Sequence, residues 1–234
     1  KNIIIYFQRL LFILVILLLN FFPVKIVVHS HNHKQKISKI FKKTIKVFNY
    51  PCEIVKKNNL KKIFKRKILF FGIVRDDKGI IDFVKKNKLE KLILTIAGKV
   101  NSKNMDELIK NKNLKIKIKN KYFNKEELEN LFLSHDYLLL PYKKSYAGSA
   151  GPMHISLSYG LPIICSNIGI FKDFLKKNKV GVLYSDYKFE KDILSINKKK
   201  FSQMKNNCIS FSKKNTWFHL SQNYERLYDK IKQK

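Results

Sequence analysis

Two cations follow an apolar run that has the character of a buried strand. The run occupies residues 67–74 (KILFFGIV), and Arg75 and Lys78 come directly after it in RDDKG. Gly72 lets the backbone turn tightly where the strand ends. A forked guanidinium beside an ammonium suits the spread negative charge of a diphosphate. The segment therefore predicts an anion-binding turn, with a solvated basic loop as the alternative in a chain so rich in lysine.

A run of small residues precedes a helix farther along the chain. A helix that begins there presents unpaired backbone N–H groups and the positive end of its dipole, for which phosphate is a natural ligand. The alternative is that the small residues only allow close packing of helix on strand. The pattern is neither a P-loop nor GxGxxG, so ATPase and simple dinucleotide functions lack support. The residues are Gly148, Ser149, Ala150 and Gly151, with Pro152 in the first helical turn.

The histidines give weaker signals. His29, His31 and His33 alternate at a predicted strand end, but no Cys, Asp or Glu stands near them to complete a metal shell. One functional histidine with two bystanders is the favoured interpretation, and no metal site is predicted. His154, one turn into the helix, faces either a ligand or the sheet. We interpret His135–Asp136 as a helix end rather than a catalytic dyad.

Short apolar runs alternate with helical segments through most of the chain. In a parallel sheet such runs are buried on both faces, and ligands bind beyond the carboxyl ends of the strands. The pattern predicts an α/β fold with a doubly wound parallel sheet. Predicted strands are 67–74, 92–98, 114–119 near an edge, 137–142, 161–166 and 180–185, with helices near 80–87, 105–111, 124–133, before Gly160, and from 188 onward.

The overall charge is strongly positive. Lys and Arg number 49 against 17 acidic residues, a formal net charge of +32. Such a balance raises nucleic acid or an anionic membrane as partners. The lysines are spread along the chain and no nucleic-acid motif is present, so compositional drift is the simpler explanation and nucleic acid is not predicted as a partner. Cys52, Cys165 and Cys208 are far apart, as expected of unpaired thiols in a reducing compartment.

An apolar run stands near the N-terminus. From Leu10 to Phe22 only Asn20 is polar. This is short of the ~20 residues that span a bilayer. We expect a buried helix that feeds a strand at Lys25–His29, and membrane insertion of residues 3–22 remains the alternative. A lysine-rich stretch follows, Lys34–Lys67, with little periodicity.

The order of these segments resembles the C-terminal donor-binding domain of family 4 glycosyltransferases, which have the GT-B fold and retain configuration at the sugar. The resemblance covers the chain from about Lys67 onward, and VVHSHN resembles the end of an N-domain strand. The motifs are FFGIVRDDKG, LILTIAGKV, EELENLFLSHDYLLLPY, GSAGPMHISLSYGLPIICSNIG, VGVLYSD and TWFHLSQNYERLY. There are departures: Ala147 and Ile155 stand where many members have two glutamates, and Ile73 stands where many have the first arginine.

The resemblance implies roles for particular residues. Arg75 and Lys78 would bind the donor diphosphate in place of a metal, with Gly72 at the turn and Gly79 opening the next helix. The segment 147–154 would cradle the donor. His31 would be the catalytic N-domain histidine that reaches the sugar. No cofactor is implied beyond a UDP- or GDP-linked sugar as substrate.

The resemblance also implies a function and a division of the chain. We expect a hexosyltransferase-type enzyme that moves a sugar from a nucleotide diphosphate to a polysaccharide or lipid-linked acceptor. It would be cytoplasmic, with peripheral contact to an anionic membrane at its inner face left open. The alternative is a non-catalytic relative that only binds nucleotide or a partner. Residues 1–50 would be a remnant of a truncated acceptor-side domain, 51–66 a linker, and 67–234 the nucleotide-sugar-binding domain.

Overall fold

The computed structural model of the chain describes residues 2–55, 64–110, 114–146, 148 and 150–232. Within these residues the chain divides into two compact units. The smaller comprises the residues up to Tyr50 together with those from Phe218 onward. The larger is Pro51–Trp217.

The smaller unit contains a short parallel pair of strands. Its first four elements are α1 (Asn2–Leu18), β1 (Ile26–Val28), α2 (His31–Ile37) and β2 (Ile45–Val47). The two strands pair with Ile26 opposite Ile45. A small apolar cluster of Ile16, Val28, Phe41 and Ile45 lies between these elements.

The larger unit carries a six-stranded sheet in the order β5-β4-β3-β6-β7-β8, and every pairing is parallel. This confirms the predicted α/β, doubly wound parallel fold. Its elements are β3 (Ile68–Phe71), α3 (Ile80–Lys86), β4 (Leu89–Ala97), α4 (Ser102–Ile109), β5 (Leu114–Lys119), α5 (Lys125–Leu133), β6 (Tyr137–Leu140), α6 (Gly151–Ser158), β7 (Ile163–Cys165), α7 (Gly169–Asn178), β8 (Gly181–Leu183), α8 (Phe189–Leu194) and α9 (Lys198–Lys214). The last helix, α10 (Trp217–Lys232), belongs to the smaller unit from Phe218 onward.

Local chemistry explains where these elements lie. The central strand β6 is buried at all four positions, as expected for a strand covered on both faces. Edge strand β5 alternates exposed lysines with half-buried isoleucines, and its lysines discourage pairing with another chain. Asn124 and Glu127 form a reciprocal capping box at the start of α5, as their spacing predicts.

The smaller unit departs from the sequence interpretation in two places. Helix α2 was not predicted. It begins at His31 because the Ser30 hydroxyl accepts a hydrogen bond from the His33 N–H at 3.1 Å. His31 and His33 therefore lie in a helical turn and do not alternate along a strand.

The expectation that the apolar N-terminal run is a buried helix is wrong for the described side chains. Helix α1 starts earlier, at Asn2, and those of its side chains that the structure describes are exposed except that of Ile16. Among the described residues, α1 included, no helix combines the length and the apolar character needed to cross a membrane.

The larger unit also adds to the prediction. Helix α7 was not foreseen between the last two strands, although its Phe171 and Leu175 are buried at the amphipathic spacing of a helix. The end of the chain was assigned to the same domain as residue 67. In the structure the residues from Phe218 onward group with the N-terminal segment, and the ring of Tyr224 packs edge-on against Phe48 at 5.1 Å.

Candidate anion-binding site

The two predicted ligand-binding segments follow neighbouring strands. β3 pairs with β6, and the sheet runs from β3 through β4 to β5 on one side and from β6 through β7 to β8 on the other. The point where the strand order reverses leaves a crevice at the carboxyl ends, which is where ligands bind in open α/β sheets. The turn of residues 72–79 follows β3, and the segment that leads to α6 follows β6.

The turn after β3 is shaped by two glycines. Gly72 has φ +124°, and its N–H donates to the Ala97 carbonyl at 2.9 Å. A short 3-10 turn, Asp76–Lys78, follows and ends at Gly79, which has φ +64°. A Cβ added to Gly79 would lie 2.1 Å from the Pro141 carbonyl oxygen, so only glycine fits against the segment after β6.

Lys78 points back across the turn towards the start of α6. A Cβ built on Gly72 would lie 2.7 Å from the Lys78 Nζ and 3.9 Å from the Pro152 Cγ. The ammonium and the first turn of α6 therefore approach the same small space above Gly72. The Nζ also lies 5.9 Å from the centre of the Tyr142 ring. Burial, together with the nearby charge of Arg75, lowers the pKa of Lys78, so an anion that restores its solvation would stabilise the charged form.

Arg75 is held by its own turn. Its Nε donates to Asp77 Oδ1 at 3.1 Å and its Nη2 donates to Asp77 Oδ2 at 2.9 Å, while its side chain stays 56% exposed. The carboxylate thus occupies the guanidinium fork that the sequence analysis assigned to a diphosphate. The sequence predicts Arg75 as a cation of this turn but gives no indication that Asp77 pairs with it.

Lys143 is a neighbouring cation that the sequence analysis missed. Its Nζ pairs with Asp76 Oδ1 at 2.5 Å and with Asp82 Oδ2 at 2.9 Å, and its backbone N–H donates to the Asp77 carbonyl at 3.0 Å. These bonds join the turn after β3 to the segment after β6. The signal was present in the sequence, because Lys143 directly follows a predicted strand on the ligand-binding edge.

Helix α6 begins without a side-chain cap. The flanking residue Ala150 provides no hydrogen-bonding side chain, and Pro152 stands in the first turn. Gly151 has open space where a Cβ would stand. The positive dipole end of α6 therefore lies next to the space above Gly72, without a side chain of its own to cap it. Gly148 is exposed beside the Tyr146 ring, whereas Ser149 and Ala147 lie outside the described residues.

The histidines take separate places. His154 is buried, and its ring packs edge-on against Phe174 at 6.3 Å, so it faces the protein interior. His135 is buried between its hydrogen-bond partners Leu131 and Thr95. His31 starts α2 in the smaller unit, so the larger unit does not supply it. His29 donates from Nδ1 to the Phe48 carbonyl at 3.0 Å, which explains its position without a ligand.

A polar pocket of about 330 Å³ opens at the carboxyl ends of β6, β7 and β8. Gly79 and Lys143 line it, which places it beside the turn after β3. Its Lys86 pairs with Asp186 at 3.1 Å.

Within the part of the chain that the structure describes, no group of three metal-ligating side chains comes together. The unpaired cysteines are buried, and burial raises the pKa of the Cys52 thiol to about 12.

A doubly wound parallel sheet with a polar edge at its switch point defines a Rossmann-like class of domain. The family model described as Glycosyl transferases group 1 matches residues 53–215, and the chain belongs to this family. The larger unit has the architecture of the C-terminal Rossmann-like domain of GT-B glycosyltransferases. No curated protein matches the sequence.

Solved structures support the fold at low sequence identity. HepE from Anabaena, crystallised with UDP and glucose, has a TM-score of 0.69 and 11% identity over 92% of this chain and 66% of its own. Sucrose-phosphate synthase from Thermosynechococcus elongatus has a TM-score of 0.70 and 14% identity over 88% of this chain and 58% of its own. TarM has a TM-score of 0.62 and 18% identity over 85% of this chain and 42% of its own. The chain therefore spans less than two thirds of the length of these structures.

Proposed function

We propose that the chain is the donor-binding part of a retaining, family 4 glycosyltransferase. It would transfer a hexose from a UDP- or GDP-linked donor to a saccharide or lipid-linked acceptor. The acceptor oxygen bonds to the anomeric carbon, the bond from that carbon to the diphosphate breaks, and the hydroxyl proton is released. The reaction would take place on the cytoplasmic side, at the inner face of a membrane.

One observation carries the proposal: the Lys78 ammonium and the start of α6 converge above Gly72 at the switch point of the sheet. A diphosphate there would meet a half-buried cation and a helix dipole, both fixed before the ligand arrives. Fixed charges of this kind stabilise the negative charge that develops on a departing nucleoside diphosphate. The UDP carried by HepE, a neighbour in fold, is in keeping with such a ligand.

The remaining predicted residues receive roles within this proposal. Arg75 would release Asp77 and turn its fork to the donor phosphates. Gly148, Ser149 and Gly151 would line the sugar side of the cradle, and His31 would reach the sugar from the acceptor-side domain. His154 would support the helix from inside. No metal is required in this scheme, since the cations and the helix end carry the charge.

Thermal-shift titration with UDP, GDP and their sugars, with and without EDTA, tests the proposal. A ligand that binds only the native state raises Tm by mass action. We expect a shift with one nucleotide diphosphate and the same shift in EDTA. A well-folded sample that shifts with none of them would exclude donor binding, and a shift that EDTA abolishes would exclude the metal-free scheme.

A non-catalytic relative is the second candidate. Ile155 stands in α6 where many family 4 members carry a glutamate, so this chain lacks a hydroxyl-binding carboxylate at that position. Measuring sugar release from a bound nucleotide sugar distinguishes the candidates. Binding without any hydrolysis or transfer, in the presence of saccharide acceptors, would favour the non-catalytic relative.

A further inference from the structure

Helix α1 exposes apolar side chains around its whole circumference. The consecutive residues 10–15 are each between 40% and 65% exposed, and six residues cover more than one helical turn. A surface helix of a globular protein normally shows an apolar stripe and a polar face. The described part of α1 has instead one buried side chain, Ile16, which packs into the small cluster with Val28 and Phe41.

The exposed apolar surface continues past the end of the helix, where it meets lysines. Phe21 is 84% exposed and Phe22 57% exposed. The Asn20 side chain holds the two parts together, since its Oδ1 accepts from the Lys42 N–H at 2.8 Å and its Nδ2 donates to the Ile40 carbonyl at 3.0 Å. The Lys43 ammonium donates to the Phe22 carbonyl. The backbone of Lys42 and the ammonium of Lys43 are thus held next to this apolar surface.

Charge along the sequence favours one kind of partner for this surface. All 17 acidic residues lie from Glu53 onward, so residues 1–52 carry only positive charge apart from neutral histidines. A second copy of the chain would bring the same positive segment and the same excess of +32. Anionic lipid headgroups offer the opposite charge, and the acyl region below them accepts the apolar side chains.

We propose that α1 and the adjoining Phe21 and Phe22 dock into the surface of an anionic lipid bilayer, with Lys42 and Lys43 against the lipid phosphates. The helix inserts into the interface without crossing the bilayer. The inference rests on the proposed function in one respect: docking would bring the enzyme to the membrane that holds its lipid-linked acceptor. Lipid binding and nucleotide binding are measured separately, so each can fail without the other.

Vesicle co-sedimentation of the full chain tests the proposal. The vesicles contain phosphatidylcholine alone, or phosphatidylcholine with three tenths phosphatidylglycerol, at physiological salt. We expect binding to the anionic vesicles and much weaker binding to the neutral ones. A chain that stays in the supernatant with anionic vesicles, or binds both kinds equally, would overturn the proposal.

A double variant and a control test whether the apolar side chains of α1 bind the membrane. Leu11→Ser combined with Leu14→Ser changes side chains that are 50% and 52% exposed, so the fold should keep its Tm. We expect the vesicle affinity to fall tenfold or more, because each leucine loses the gain from burial in the acyl region. Ile109→Ser, at a 63% exposed position on α4, is the matched control and should bind as the unaltered chain does. Equal binding by the double variant would contradict docking through α1.

A second pair examines the charge. Lys42→Gln with Lys43→Gln should weaken anionic binding by about fivefold for each cation and leave neutral vesicles unaffected. The exposed pair Lys198→Gln with Lys199→Gln removes the same charge from α9 and should have a smaller effect. Sedimentation velocity then tests the competing occupant. A dimer that L11S/L14S dissociates, with no vesicle binding, would assign the surface to a second copy and refute the lipid.

Discussion

Replacing Lys78 with methionine should separate donor binding from stability. Methionine keeps an unbranched apolar stem of similar length but removes the ammonium that lies above Gly72. Burial, with the charge of Arg75, lowers the pKa of Lys78, so the charged form is disfavoured in the folded chain. The unfolded chain then binds more protons just above the folded-state pKa, and stability rises with pH in that window. The variant should lose this alkaline rise and have an unchanged or higher Tm without ligand.

The size of the binding effect follows from the lost contact. A hydrogen bond to a charged group contributes about 1.5–3 kcal/mol, which corresponds to a roughly 12- to 150-fold rise in Kd. At a ligand concentration of about 100 times the original Kd, the native chain gains about 2.7 kcal/mol. The variant would keep only about 0.3–1.3 kcal/mol. For a unit the size of Pro51–Trp217 each kcal/mol is worth about 2–4 °C in Tm.

The assay is a thermal shift with UDP and GDP, checked by titration calorimetry. Lys88→Met is the matched control, since Lys88 is exposed and precedes the amino end of β4, at the opposite edge of the sheet from the turn. The control should shift as the unaltered chain does. A Lys78→Met protein with an undiminished ligand shift would refute the reasoning, as would one whose Tm without ligand falls by several degrees.

Three further substitutions test neighbouring contacts. Asp77→Asn should tighten nucleotide diphosphate binding by about two- to tenfold in calorimetry. The Arg75 guanidinium would no longer have to break its ion pair with the Asp77 carboxylate before it binds the ligand. Weaker binding would contradict this and show that Asp77 positions Arg75 for the ligand. Gly79→Ala should lower the free energy of unfolding, measured in urea, by at least about 1–3 kcal/mol. Gly79 has φ +64°, and an alanine Cβ there would collide with the Pro141 carbonyl. An unchanged urea midpoint would contradict the close packing of the turn after β3 against the segment after β6. Asp136→Ala should cost about 1–3 kcal/mol by the same assay, because the Asp136 carboxylate accepts from two backbone N–H groups at 2.9 and 3.1 Å.

The larger unit was predictable because its signals are local. Continuous apolar runs such as 67–74 mark buried parallel strands, and the Asn124 capping box marks a helix start. The sequence predicted a doubly wound parallel sheet but not the order of its strands. The pairing of β3 with β6 is what brings the two predicted ligand-binding segments together. Lys78 was therefore predicted as a binding residue from its neighbours in sequence, whereas its position over Gly72 depends on the fold.

Other features were outside the reach of sequence patterns. The pairing of Arg75 with Asp77 depends on the 3-10 turn, and the link from Lys143 to Asp82 joins groups that are distant along the chain. Helix α2 was missed because its residues are mostly polar, so its sequence has no apolar residues at helical spacing. Apolar content alone could not distinguish a buried α1 from an exposed one, since that depends on what packs against it.

A crystal structure of the chain with UDP tests the central claim most directly. The account predicts a diphosphate within hydrogen-bond distance of the Lys78 Nζ and of the backbone N–H groups at the start of α6, with no metal ion between them. A diphosphate bound elsewhere, for example in the pocket beside Tyr184 and Asp186, or held through a metal ion, would contradict it.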